Sequence, residues 1–141
     1  MKRHKNLTPL SREHHGTLIL AQLLKKGAPA YKDLPALPHT KSIYAKKYFI
    51  EHLQSHFDKE EKMLEKVKLY NSEISLLTDE IIQEHQQLKT LFNELNEKSV
   101  SEIKLDLLGK ALENHIRKEE RILFPAIEKY CPAIILDNIE L

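Results

Sequence analysis

The sequence predicts an all-α fold, an up-down-up-down four-helix bundle. The 141 residues include only three glycines, and the chain is rich in Leu, Lys and Glu, which favour helix. Four segments carry apolar residues at helical spacing. The links between them are short enough for neighbouring helices to run antiparallel.

The first predicted helix starts with Thr8 as its N-cap and Pro9 at the first helical position. The run Lys25-Lys26-Gly27 ends it, and a Pro-rich link from Ala28 to His39 follows. Its apolar face comprises Leu7, Leu10, Leu18, Ala21 and Leu24.

The second helix is predicted from about Thr40 or Ser42 to Leu69, the third from about Ser72 to Asn96, and the fourth from about Ser101 to Tyr130. Pro125 should bend the fourth helix, because it removes a backbone donor and crowds the carbonyl four residues earlier. The predicted inward residues are Phe49, Leu53, Met63, Leu64 and Val67, then Leu77, Ile81, Leu88, Phe92 and Leu95, then Leu105, Leu108, Leu112, Ile122 and Leu123.

Length and composition favour a single domain over residues 1–141, with a core at about 7–130 and an apolar tail at 132–141. We expect the tail to dock on the bundle or on another subunit. The charges, 22 Lys+Arg against 21 Asp+Glu, are interleaved and give a net charge of +1. This balance does not favour binding to nucleic acid or to an anionic membrane.

The single cysteine, Cys131, excludes a disulfide framework and a cysteine-type zinc site within one chain. The basic N-terminal stretch leads into no apolar run of signal-peptide or membrane-span type. A soluble, cytoplasmic protein is therefore expected.

Two short segments have nearly the same pattern, HFDKEE at His56–Glu61 and HIRKEE at His115–Glu120. In a helix, the first glutamate of each pair lies four residues after its histidine, so imidazole and carboxylate emerge from one face. The second glutamates, Glu61 and Glu120, point about 100° away. We expect those two to be solvated or paired with lysines.

The first and third helices each place a histidine on the apolar face, His14 and His85. Aligning REHHGTLILAQLL with QEHQQLKTLFNEL keeps the apolar positions in register when His14 matches His85. His15 fits less well and remains the alternative. His52, one turn before His56, is open to three interpretations: a hydrogen-bond donor near the site, an extra ligand, or a rim residue.

Six polar groups would thus converge inside the bundle. Burying them is costly unless they are satisfied, and four imidazoles cannot all pair with two carboxylates. Metal ions resolve the conflict, and nitrogen and oxygen ligands without thiolate favour iron, manganese or zinc over copper(I). The predicted ligands are His14, His56, Glu60, His85, His115 and Glu119.

Over about Leu7 to Tyr130, the chain resembles the hemerythrin-like family of HHE cation-binding domains. The motifs that carry the resemblance are LSREHH, HFDKEE, EHQQL and HIRKEERILFP. The resemblance implies a non-haem di-iron centre with an oxo or hydroxo bridge, in which Glu60 and Glu119 bridge the irons and the four histidines are terminal ligands. Members variously bind oxygen, sense oxygen or iron, react with nitric oxide or peroxide, or help to repair iron–sulfur clusters.

The chain departs from the dedicated oxygen carriers of that family, which have five histidines, two of them four residues apart on the third helix. Here Ile81 and Lys89 occupy the positions four residues from His85. The hypothesis is a protein that binds, senses or reduces oxygen, peroxide or nitric oxide at a di-iron site. The alternatives are a metal-responsive interaction module for iron sensing or storage, and a plain structural bundle.

The sequence does not decide whether the protein is an enzyme. It shows no nucleophile, phosphate loop or base-and-orienter set typical of a hydrolase or kinase. It identifies no protein partner.

Overall fold

The computed structural model describes residues 2–95 and 101–141, which form helices and no strand. Two π turns, Phe49–Leu53 and Glu119–Leu123, join α2 to α3 and α5 to α6. The bundle helices are therefore α1, α2 with α3, α4, and α5 with α6, and the predicted four-helix bundle is confirmed. The helices are α1 Thr8–Leu24, α2 Pro38–Tyr48, α3 Gln54–Val67, α4 Ser72–Asn93, α5 Glu102–Lys118, α6 Phe124–Tyr130 and the short α7 Ala133–Leu136.

Polar side chains cap the N-termini of two of the helices. The Asn71 side chain accepts hydrogen bonds from the backbone N–H groups of Glu73 and Ile74, and Ser101 accepts one from Lys104. The predicted N-cap of α1 is wrong by one residue, since Leu7 is the cap and Thr8 is already helical. The Thr8 hydroxyl instead donates to the carbonyl of His4 at 3.0 Å.

Two helix boundaries also differ from the prediction. The second bundle helix begins at Pro38 rather than near Thr40, because proline at a first turn needs no backbone donor. The third ends at Asn93, and Asn96 lies outside the described residues.

The expected disturbance near Pro125 takes the form of the π turn just before it. Pro125 has no N–H to offer the carbonyl of Arg121, so a wider turn before it is locally tolerable. The wider turn also shifts the helical register. Ile122, predicted to face inward, is 50% exposed, while Leu123 and Phe124 are fully buried.

The core consists of two apolar clusters, one towards each end of the bundle. The first includes Leu10, Leu64 and Ile81, and the second includes Leu20, Phe92 and Leu112. On α1 and α4, the buried histidines lie in sequence between residues of the two clusters. A polar layer thus separates two apolar layers.

The C-terminal tail packs on the bundle, which is one of the two arrangements expected from the sequence. Leu136 is buried in the first cluster, and its carbonyl accepts a hydrogen bond from the Asn6 side chain at 2.8 Å. The Asp137 carboxylate lies 3.1 Å from Nε2 of His4. Within the described residues, no helix has both the length and the apolar character needed to cross a membrane.

Candidate metal centre

The six predicted side chains meet in the middle of the bundle. Glu60, Glu119 and His85 are fully buried, and the other three histidines are 2% exposed. Their donor atoms form two groups within which all atoms lie within 4.8 Å of one another, and both groups share the two glutamates. The groups are His14, His56, Glu60 and Glu119, and Glu60, His85, His115 and Glu119.

Each imidazole turns its Nε2 towards a shared carboxylate. Nε2 of His14 lies 3.2 Å from Glu119 Oε1 and 3.5 Å from Glu60 Oε2. Nε2 of His56 and of His85 lie 3.2 and 3.1 Å from the two oxygens of Glu60. Nε2 of His115 is 3.2 Å from Glu119 Oε1. Two adjacent binding positions with common carboxylates follow from this geometry.

A second set of carboxylates faces the other ring nitrogen, Nδ1, of every imidazole. In each case the carboxylate comes from the preceding bundle helix in chain order, and the fourth helix supplies the first. We call this set the outer ring. It comprises Glu120 at 2.7 Å from His14, Glu13 at 3.5 Å from His56, Glu61 at 2.8 Å from His85 and Glu84 at 2.8 Å from His115.

The outer ring has a direct chemical effect. In the neutral imidazole, a carboxylate that accepts from Nδ1–H fixes the tautomer whose Nε2 lone pair points to the centre. That is the form of imidazole that binds a metal. Two lysines steady the ring, Lys59 at 2.9 Å from Glu13 and Lys118 at 2.9 Å from Glu84.

The prediction for Glu61 and Glu120 is therefore wrong, because the carboxylate of each lies within hydrogen-bond distance of a site histidine and neither pairs with a lysine in residues 2–95 or 101–141. A residue about 100° from the inward face points at the neighbouring helix in a bundle, not at water. The sequence did carry a signal for the outer ring. A glutamate directly precedes His14 and His85 and directly follows Glu60 and Glu119.

Aromatic rings pack against the faces of two of the imidazoles. Phe57 stacks on His85 with ring centroids 4.0 Å apart, and Phe124 stacks on His14 at 5.7 Å. His14 and His85 are thus held by packing as well as by hydrogen bonds, which leaves them little freedom to rotate.

The charges of the centre shift its proton affinities. Burial by itself lowers the pKa of His14, but hydrogen bonds to three carboxylates outweigh it and raise that pKa to about 12. His115 follows the same pattern, burial opposed by Glu119 and Glu84, with its pKa raised to about 10. The pKa of Glu60 is well below its usual value, because the imidazoles around it outweigh its desolvation. Protons and metal cations therefore compete for the same atoms.

The unpaired atoms of the centre fit a metal ion. Several buried donor atoms have no hydrogen-bond partner, although other donor atoms of the centre lie within 4.8 Å of them. Buried polar atoms without partners are rare in folded proteins, so they need a further partner. They are Nε2 of His14, His56 and His115, Oε2 of Glu60 and both oxygens of Glu119.

A comparison with protein families gives an independent result: the model of the hemerythrin HHE cation-binding domain matches residues 6–127. The chain belongs to this family. All six buried donors of the HHE domain lie inside the matched range. No curated protein and no solved structure matched the chain.

The HHE domain places the alternative histidines in different surroundings. His14 is buried in the centre, whereas His15 is exposed on the outer face of α1. His52 is also exposed and is not among the clustered donors. Its ring lies against Tyr48, with centroids 4.9 Å apart.

Proposed function

We propose that this HHE domain holds two iron ions and uses them to bind, sense or reduce a small oxidant such as oxygen, peroxide or nitric oxide. The observation that carries the proposal is the pair of overlapping donor groups that share both glutamates. In this proposal His14 and His56 bind one ion, His85 and His115 bind the other, and Glu60 and Glu119 bridge them. Residues 1–141 act as one domain.

Iron supplies a change of oxidation state and coordination positions that the protein leaves open. Two imidazoles and two carboxylate oxygens give each ion four protein ligands. The shared carboxylates would hold both ions, and the outer ring would keep the Nε2 lone pairs aimed at them. Manganese or zinc would fit the same donors, but zinc has no redox chemistry.

Reversible oxygen carriage is a weaker candidate than reaction or sensing. The resemblance assigns the dedicated carriers a second histidine on the third helix, and here both flanking positions lack one. A cytoplasmic location also forms part of the proposal, since the single Cys131 is free and buried.

Metal analysis of the purified protein tests the function. We expect about two iron ions per chain, together with near-ultraviolet absorption that changes on reduction. Glu60→Gln should lose iron while its helical circular dichroism persists, and Glu113→Gln, a change on the surface of α5, should keep it. A folded wild-type protein that takes up no ferrous iron would refute the proposal.

A second candidate, a metal-responsive interaction module, rests on the contacts of the chain ends. Arg3 donates to the carbonyl of Glu120 at 2.8 Å and pairs with Glu128. Glu120 in turn holds His14, while His4 next to Arg3 contacts the tail at Asp137. Loading the centre could therefore alter the ends of the chain. Hydrogen exchange of residues 2–7 and 132–141, with and without metal, tests this candidate.

A further inference from the structure

A cavity of about 340 Å³ lies against the metal centre, between α1 and the second bundle helix. Its wall includes His56, one of the six donors, together with Gly16, Thr17 and Tyr48. The exposed side chains of Arg12 and His52 stand at its edge. The cavity thus extends from the surface to an imidazole of the centre.

The Tyr48 side chain lines this cavity, and its hydroxyl lies so close to residue 16 that only glycine fits there without a shift of the tyrosine. A Cβ at Gly16 would lie 2.7 Å from the Tyr48 hydroxyl oxygen and 3.8 Å from Cζ. The hydroxyl lies 3.4 Å from Oγ1 of Thr17, a buried side chain one turn after His14. Partial burial raises the pKa of Tyr48, so the phenol is neutral at physiological pH.

The cavity coincides with a break in the two-fold pseudo-repeat of the chain. The register that matches His14 to His85 places Gln87 and Leu88 where the first helix has Gly16 and Thr17. A π turn at Phe49–Leu53 precedes His56, whereas α5 is a regular α-helix up to His115. π turns within helices occur frequently at functional sites.

His56 is also the least firmly held imidazole of the four. Its Nδ1 lies 3.5 Å from Glu13, against 2.7 to 2.8 Å at the other three histidines. Its Nδ1 is buried and has no hydrogen-bond partner, although the residue is only 2% exposed. An unsatisfied polar atom therefore lies beside the cavity and at the edge of the centre.

We propose that the small ligand of the metal centre enters through this cavity, on the His56 side, and that the Tyr48 side chain controls its entry. The proposal rests on the function proposed above and adds a route and a ligand class. The hydroxyl groups of Tyr48 and Thr17 suit a small polar ligand of two or three heavy atoms. The other half of the pseudo-repeat has Leu88 in place of Thr17 and carries no such hydroxyl.

Azide binding to the iron-loaded protein, followed by stopped-flow absorption, tests the route. Tyr48→Ala should widen the entrance and raise the association and dissociation rates in parallel, leaving the affinity nearly unchanged. That pattern distinguishes a gate from a residue that stabilises bound ligand, which would change dissociation alone. Tyr44→Ala is the matched control, because Tyr44 lies one turn away on α2 and does not line the cavity.

A filling variant gives the opposite result. Gly16→Leu should slow azide association severalfold. Gln87→Leu, which puts leucine at the corresponding position of α4 where the side chain is exposed, should not. Iron content and the thermal unfolding of the metal-free variants are measured alongside.

Unchanged azide rates in both Tyr48→Ala and Gly16→Leu, with normal iron content, would overturn the entry route alone. Failure of the iron-loaded wild-type protein to bind azide would overturn the proposed open coordination position, and the route with it.

Discussion

All four buried histidines of the centre turn Nε2 towards a shared glutamate. Three of them, His14, His85 and His115, also donate from Nδ1 to the outer ring. This arrangement separates two tasks. Glu60 and Glu119 supply charge at the centre, and the outer ring sets the orientation and tautomer of the imidazoles. The acidity of Glu120 shows the same contact from the other side, since its pKa is lowered by His14 and Ser11 against the opposing effect of burial.

Removing one charge from the outer ring should weaken metal binding without unfolding the protein. We expect Glu120→Gln to lower the affinity for ferrous iron about 10- to 100-fold, as losses of such hydrogen bonds typically do. A competing chelator measures the affinity. Glu113→Gln removes a comparable carboxylate that pairs with Lys25, and it should have little effect. Equal losses in both variants would contradict the role of Glu120.

Metal binding at pH 7 should release about two protons, from His14 and His115, because the pKa of each is raised above pH 7 in the metal-free protein. Calorimetry in buffers of different ionisation enthalpy measures the number. Affinity for metal should therefore rise with pH. Loading without net proton release would contradict the prediction.

The same pKa shifts determine in which direction the stability of the metal-free protein changes with pH. A raised imidazole pKa adds stability that is complete below about pH 6.5. That contribution is lost as the pH rises through about 10 for His115 and about 12 for His14. Urea titrations should give a lower free energy of unfolding for the metal-free protein at pH 10 than at pH 7.

At the scale of elements, contacts between helices bring the donor residues of different helices to the same height along the bundle axis. α1 and α5 approach closely at Gly109, where an added Cβ would lie 2.6 Å from the carbonyl oxygen of Ala21 and 3.2 Å from Cβ of Leu24. This approach brings His14 beside the fourth helix, which carries Glu119 and Glu120. The two π turns then adjust the register of the second and fourth bundle helices near the centre.

Gly109→Ala should force α1 and α5 apart, because the clashing atoms include backbone that cannot rotate away. We expect a loss of about 1–3 kcal/mol in the free energy of unfolding, measured by urea denaturation. Lys110→Ala, the neighbouring exposed position, should change it by less than about 0.5 kcal/mol. A Gly109→Ala variant as stable as this control would show that the helices relax freely.

At the scale of the whole molecule, the polar layer should make stability depend on a cation. The two apolar clusters stabilise the ends of the bundle, while the layer between them contains buried atoms without hydrogen-bond partners. Unsatisfied buried polar groups cost folding free energy. A bound cation removes that cost and links all four bundle helices.

Metal should therefore raise the unfolding temperature. At a free metal concentration about 1,000 times the dissociation constant, binding to the folded state alone adds about 4 kcal/mol. Thermal unfolding with ferrous iron under anaerobic conditions, before and after a chelator, measures the shift. Glu119→Gln should show little or none. A wild-type protein indifferent to metal would contradict this expectation.

The sequence by itself determined the bundle and the two inward histidine–glutamate pairs, because the relation of His56 to Glu60 and of His115 to Glu119 depends only on the pitch of one helix. Tertiary structure decided what depends on the relative rotation and height of different helices. It chose His14 over His15, set Glu61 and Glu120 on histidines, exposed Ile122 and opened the cavity at Tyr48. Helical periodicity fixes directions within an element, but which side chain of a neighbouring helix lies opposite is set by packing between elements.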